Sequence, residues 1–237
     1  MISQRVKDID VNNYENKVFL TFDIDWATDE VLNHNLDLLE DRNLKGTFFV
    51  THKTPVLERI RENENLELGI HPNFNFLLSG DHRYGKTFQK VIDYYLEMVP
   101  DAVSVRSHCL VQSSPILSYF KSLGLKQDLN LYLPKNSGIE AKPFEDWNFG
   151  LTRMPHFWED DLHITYKDDW NTENYLNSPG LKIFDFHPIH LFLNTEKLEQ
   201  YNSCRGIFQD FEILQKKVNK STYGTKDFFV DLTSNLE

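Results

Sequence analysis

Short runs of β-branched and aromatic residues, each closing on a polar or charged group, alternate along the chain with longer segments of helical period. That alternation is the pattern of βα units and a parallel sheet. Strands are expected at about 17–23, 46–50, 66–70, 103–106, 125–131, 149–154 and 181–187. Between them, Thr28 caps a segment in which Val31, Leu32, Leu36 and Leu39 recur at helical spacing. Thr54-Pro55 and Ser114-Pro115 each set a cap beside a proline suited to the first helical turn. A stripe of Phe88, Val91, Ile92, Tyr95 and Met98 predicts a helix over 85–98, and others follow near 195–202 and 208–219. Seven parallel strands with interleaved helices suit one distorted or incomplete (β/α) barrel, an α/β fold, because no Gly-x-Gly-x-x-Gly follows the first strand.

The 237 residues carry 40% hydrophobic side chains, enough for a full core, and no Pro-, Gly- or Ser-rich linker divides them. A single domain over 1–237 is expected, its chemistry within 17–194 and its C-terminal helices, 195–237, packed on the barrel. A net charge of −11 argues against nucleic acid, whose phosphates call for clustered Lys and Arg. Neither a secretory signal nor an apolar run of membrane-spanning length is present, so a cytoplasmic location is expected. The two cysteines, Cys109 and Cys204, lack metal or disulfide spacing.

The polar residues at the strand ends carry the functional signal. The first apolar run stops at Asp23-Ile24-Asp25-Trp26, and later runs stop at Glu67-Leu-Gly-Ile-His71, Ser104-Val-Arg106-Ser-His108 and Phe184-Asp-Phe-His187-Pro-Ile-His190. In α/β folds the C-terminal strand ends form the ligand face, so these groups converge on one candidate site. An acidic first turn would repel phosphate unless a metal ion lay between.

Together these segments resemble the polysaccharide deacetylase family of carbohydrate esterases, whose domain was first seen in nodulation chitooligosaccharide deacetylases. Thr21-Phe22-Asp23-Ile24-Asp25 is similar to the family's Thr-Phe-Asp-Asp-Gly with one residue inserted, and Gly46-Thr47-Phe48-Phe49 to its second strand. Glu67-Leu-Gly-Ile-His71-Pro-Asn-Phe-Asn75 keeps the first metal histidine of the second motif but has Asn75 in place of the second. Arg106 is similar to the third motif's arginine and His187 to the fifth motif's histidine. The fourth motif, an aspartate with a tryptophan, is represented by Trp158-Glu159-Asp160-Asp161 with the order changed. Asp-x-Asp-Trp, His-Pro-Asn and Phe-His-Pro-x-His resemble the branch linked to surface-polysaccharide and O-antigen synthesis.

The resemblance implies a metal-dependent hydrolase that removes an N- or O-linked acetyl group from a sugar, presented free or linked to a nucleotide or lipid. A divalent ion, zinc first and cobalt, nickel or iron after it, lowers the pKa of water and polarises the carbonyl. Asp25, His71 and Asn75 are the expected ligands, with His82 or His108 as substitutes for Asn75. Asp23 is the expected base, held ionised by Arg106, and His187 the expected acid, oriented by an acid of 158–161. Trp26, Trp158, Asp160 and His190 are expected near the sugar; Pro188 predicts a loop rather than a helix at His190.

Two other readings compete. Haloacid dehalogenase-type phosphatases also begin with an apolar strand and Asp-x-Asp, but they want Thr or Val two residues after the second acid, where this chain has Ala27. Loss of the second metal histidine also suits a metal-free relative that binds a carbohydrate or hydrolyses another amide.

Overall fold

The computed structural model describes residues 1–234 and residue 236. Its ten strands are β1 (Ile2–Gln4), β2 (Lys17–Asp23), β3 (Gly46–Val50), β4 (Leu66–Ile70), β5 (Ser104–Val105), β6 (Gln127–Asp128), β7 (Phe144–Glu145), β8 (Thr152–Arg153), β9 (Trp158–Glu159) and β10 (Lys182–Phe186). They form one sheet in the order β7-β8-β6-β5-β4-β3-β2-β10-β9, with β1 beside β2. Every pairing is parallel except β7 with β8. Residues 154–157 alone carry the chain from β8 near one edge to β9 at the other. Five Cα steps reach at most roughly 18 Å, so the sheet must curl until its edges nearly meet. The result is an α/β half-barrel.

All seven expected strands are present; β5, β6 and β8 are shorter than the sequence pattern suggested, and β1, β7 and β9 are additional. The three additional strands have three residues or fewer, too short to show a periodic pattern. The helix capped by Thr28 spans Asp29–Glu40, and the stripe at 85–98 forms Phe88–Leu96 behind the cap Thr87. Proline positions fix two more, Val56–Glu62 and Ser114–Ser122. After His187 the structure has a helix, Pro188–Leu193, where a loop was expected. Proline is at ease there because a first-turn residue needs no intrahelical N–H bond.

The strands are buried on both faces, and period-two alternation sorts them. Val18, Leu20 and Phe22 of β2 face the helices in the main core, whereas Phe19 joins Phe49, Leu129, Met154 and Ile183 in a second cluster. Thr21 and Asp23 are in phase with Phe19. Ser104 and Arg106, Glu67 and His71, and Asp185 and His187 occupy the corresponding phase on their own strands. Glu67 is buried there against Thr47, Ser104 and the Lys7 N–H. The C-terminal helix Thr225–Thr233 closes the outer face, with Phe229 against Phe22 and Phe186 and Phe228 stacked on Trp158.

Gly69 is required for close packing. A Cβ there would lie 2.7 Å from the Phe49 ring and 2.9 Å from the Ser104 carbonyl. The same ring lies beneath the Arg106 guanidinium, 4.5 Å from its carbon. The missing side chain in β4 therefore leaves room for the aromatic support of a site residue just after β5.

Candidate active site

Strand register brings the site together. Phe186 pairs with Phe22, Asp23 with Phe49, Val50 with Ile70, and Ile70 with Val105. The residues at the ends of β10, β2, β4 and β5 are thus His187, Asp23, His71 and Arg106, at one level of the half-barrel. Three further residues complete the array: Asp25 after β2, His108 after β5 and Asp160 at the start of the helix that follows β9.

Arg106 is fully buried and is the hub of a saturated network. Its Nε donates to both Asp23 oxygens at 3.0 Å, Nη2 donates to Asp23 Oδ1 at 2.6 Å, and Nη1 donates to Thr21 Oγ1 at 3.0 Å. Nη2 also reaches Asp185, whose carboxylate accepts from Thr21 Oγ1 at 3.1 Å. One guanidinium thus faces two buried carboxyls, and a buried excess charge is costly. Burial would raise Asp23, but the charge of Arg106 and the guanidinium hydrogen bonds hold it below the usual carboxylate range. Burial pushes Asp185 well above that range, beyond what Arg106 offsets, so it takes the proton. Asp185 was not foreseen as a site residue. The signal was its position two residues before His187, on the same face of β10.

Asp25 differs. Its Oδ1 is buried, yet it accepts no hydrogen bond among the described residues. It lies 3.6 Å from His71 Nε2 and 3.4 Å from His108 Nδ1, and those two nitrogens are 3.2 Å apart. Ligand atoms held about 2.0–2.2 Å from a four-coordinate ion stand roughly 3.3–3.6 Å from one another. An orphaned carboxylate oxygen and two imidazole nitrogens at that spacing fit a divalent cation. Burial lowers His71 to about 4, leaving its ring neutral, as a ligand must be. His71 Nδ1 stands 3.4 Å from Asp23 Oδ1, which turns Nε2 toward Asp25. Burial would raise Asp25, but the facing His108, His71 and His187 hold it far below the ordinary range.

The backbone around this cluster is strained. Asp25 and Trp26 have φ of 28° and 55°, and Cys109 and Leu110, just after His108, both have 55°. Such conformations in residues other than glycine cost on the order of 1–3 kcal/mol each and gather at functional sites. Asn75 is exposed at the start of a short helix, and its amide donates to Cys109 Sγ at 3.3 Å. The third atom beside Asp25 and His71 belongs to His108, the substitute considered above.

His187 Nε2 is 3.7 Å from Asp25 Oδ2. Its Nδ1 meets Asp160 Oδ1 at 2.7 Å, and its backbone N–H donates to Asp160 Oδ2 at the same distance. Burial would lower His187, but the charge and hydrogen bond of Asp160 raise it well above the ordinary histidine value. Asp160 itself is fully buried, so it positions the imidazole and offers nothing to a sugar. Trp158 is also core, 2% exposed, with its Nε1 donating to His163 Nδ1 at 3.1 Å. A ring expected to be a flat platform is instead covered by Phe228. His190 is buried, 3.1 Å from Thr195 Oγ1.

A cavity of about 610 Å³ opens over these groups. Asp25, Trp26, His108, Asp161 and His187 line one side, and Tyr201, Arg205 and Phe208 from the C-terminal segment line the other. Gln209 pins the two sides by donating to the Trp26 carbonyl at 3.1 Å. The C-terminal wall was not foreseen, since helical periodicity marks Tyr201 and Phe208 as ordinary packing residues.

The WbmS-like polysaccharide deacetylase family model matches residues 20–205. The chain belongs to that family. The crystal structure of WbmS from Bordetella bronchiseptica, described as a polysaccharide deacetylase involved in O-antigen biosynthesis, is similar at 41% identity, covering 98% of this chain and 97% of that one with a TM-score of 0.92. A polysaccharide deacetylase from Mycobacterium smegmatis shows 18% identity over 73% of this chain and 78% of its own, with a TM-score of 0.44. No curated protein sequence matches significantly. Among the described residues no helix is long and apolar enough to cross a membrane.

Proposed function

We propose that this protein removes an acetyl group, N- or O-linked, from a sugar or sugar precursor during assembly of a surface polysaccharide such as O-antigen. The reading rests above all on Asp25 Oδ1, a buried carboxylate oxygen with no hydrogen-bond donor among the described residues and two imidazole nitrogens within 3.6 Å. Asp25, His71 and His108 would hold a divalent cation, zinc in the first instance. When bound, that ion supplies Lewis acidity toward the acyl oxygen and acidifies water.

The chain's own groups supply the proton traffic. Asp23, kept ionised by Arg106, accepts the proton of the attacking water at a carboxylate oxygen. His187, kept protonated by Asp160, donates from Nε2 to the departing nitrogen or oxygen. Two titratable groups whose surroundings drive them apart, one down and one up, are the assignment of base and acid. Trp26 meets His108 edge-on, with ring centres 5.4 Å apart, and offers its remaining surface to a sugar at the cavity wall.

The test is metal analysis of protein purified without chelator, followed by acetate release from N-acetylated nucleotide sugars and lipid-linked sugars. One ion per chain, lost in His71→Ala and in His108→Ala, with acetate production that follows the ion, is the expected result. Acetate release that is indifferent to chelation and to both substitutions would sink the metal assignment. Failure to release acetate from any N- or O-acetylated sugar would sink the reaction.

A further inference from the structure

The C-terminal wall of the cavity over the site carries Arg205, the only Arg or Lys among the described residues that line it. We propose that its guanidinium binds an anionic group of the substrate, carboxylate or phosphate, next to the acylated ring, so that the protein selects acidic or phosphate-linked sugars over neutral ones; this rests on the deacetylase reading above.

The side chain is free to take a ligand. Every other arginine of the chain donates at least one hydrogen bond within the protein. Arg205 is exposed, and its guanidinium has neither a hydrogen bond nor an ion pair among the described residues. Its central carbon stands 5.6 Å from the centre of the Tyr201 ring, which holds it at the cavity wall. From there the path to the reacting groups is short. The Tyr201 ring centre is 4.6 Å from that of His190, which is 5.9 Å from that of His187. Burial lifts the Tyr201 hydroxyl above its ordinary range, and the charges of His187 and Arg205 both act against that lift, so both stand close to the phenol.

The chemistry of the group selects an oxyanion. A guanidinium presents its N–H groups as a planar fork that matches a carboxylate or a phosphate with two parallel hydrogen bonds. The hydroxyls of a neutral sugar need no such partner. The protein carries a net charge of −11, and Asp25 and Asp161 line the facing side of the cavity, so an anionic ligand entering there meets repulsion unless a cation stands beside it. An arginine held at the wall without a protein partner supplies that counter-charge.

Calorimetric titration of the full chain tests this with N-acetylglucosamine, its anomeric phosphate, its uridine diphosphate conjugate and N-acetylglucosaminuronic acid, and with the same four compounds of the galacto series, for wild type, Arg205→Gln and Arg205→Lys. At least one anionic probe should bind about tenfold tighter than its neutral parent. Arg205→Gln should bring that ratio toward one, whereas Arg205→Lys, which keeps the charge but not the fork, should retain part of it. A preference confined to the uronic acids places the anion on the sugar ring, and one confined to the phosphates places it on the carrier. Ratios near one for every probe, no binding of any probe at millimolar concentration, a ratio that survives Arg205→Gln in folded protein, or an equal weakening of neutral and anionic probes would overturn the anion site. Acetate assays on the same probes separate the two readings. Acetate released from neutral and anionic probes with the same kcat/KM leaves the deacetylase and removes the anion site. Arg205-dependent binding without acetate from any probe leaves the anion site and removes the deacetylase.

Discussion

Asp23 and Asp25 are the same residue type two positions apart, yet one lies in a saturated network and the other in an open one. Asp23 receives three guanidinium contacts within 3.0 Å, while Asp25 Oδ1 accepts no hydrogen bond among the described residues. A carboxylate surrounded by donors is part of the fold's own electrostatics. A carboxylate oxygen without them, set beside two imidazole nitrogens, is open to a cation. The difference arises from phase. Asp23 is still within β2, on the face shared with Arg106, whereas Asp25 lies beyond the strand on left-handed backbone that turns it toward His71 and His108.

The largest expected effect is catalytic. Asp23→Asn should lower kcat about 10²–10⁴-fold. Stability should fall less than the loss of a buried ion pair suggests, because Asp185 can ionise in Asp23's place beside Arg106. Steady-state kinetics with urea melts checks both, and full activity would remove Asp23 as the base. Next, Arg106→Met leaves two buried carboxyls without their guanidinium and should cost about 3–5 kcal/mol in denaturant unfolding. A cost below about 1 kcal/mol would show that solvent reaches the network.

Asp25→Asn is the complementary change. Without metal it should cost some stability, since the facing His108, His71 and His187 hold Asp25 ionised far below the ordinary carboxylate range. A divalent ion at about a hundred times its Kd should stabilise the wild type by about 2.7 kcal/mol and the variant by nearly nothing. Equal thermal shifts in both would show that the open carboxylate is not a ligand. The smallest effect is expected from Asp160→Asn. His187 is raised by Asp160, so the acid works below that raised pKa and activity falls as pH rises through it. The substitution should therefore move the alkaline limb of the kcat profile downward. By linkage, the stability supplied by the Asp160–His187 pair is complete below the ordinary histidine pKa and is lost as pH climbs through the raised one, so wild type and variant should converge in stability at alkaline pH. An unmoved limb would assign it to another group.

How much of this was legible in the sequence depended on distance along the chain. Asp23, His71, Arg106 and His187 follow apolar strands, so one strand pattern gives both their existence and their phase. His108 was harder to rank, because its place beside Asp25 comes from a loop with two left-handed residues that no periodicity announces. Asp160 was recognisable as an acid near a tryptophan, but its burial depends on β9, a two-residue strand below the reach of pattern reading. Trp158 was misjudged for a related reason. The helix that covers it lies some seventy residues further along, at Thr225–Thr233, and nothing local to the tryptophan records that contact.

The pairing of Phe186 with Phe22 sets how far His187 stands from Asp23. Side chains alternate along a strand, so inserting or deleting one residue in β10 before this pair would exchange its two faces. Phe184 and Phe186 would turn toward the reaction chamber while Asp185 and His187 entered the greasy layer under the helices. Length in this five-residue segment is therefore guarded more strictly than composition. Natural variation should trade one apolar residue for another there and tolerate indels only in the connections on either side.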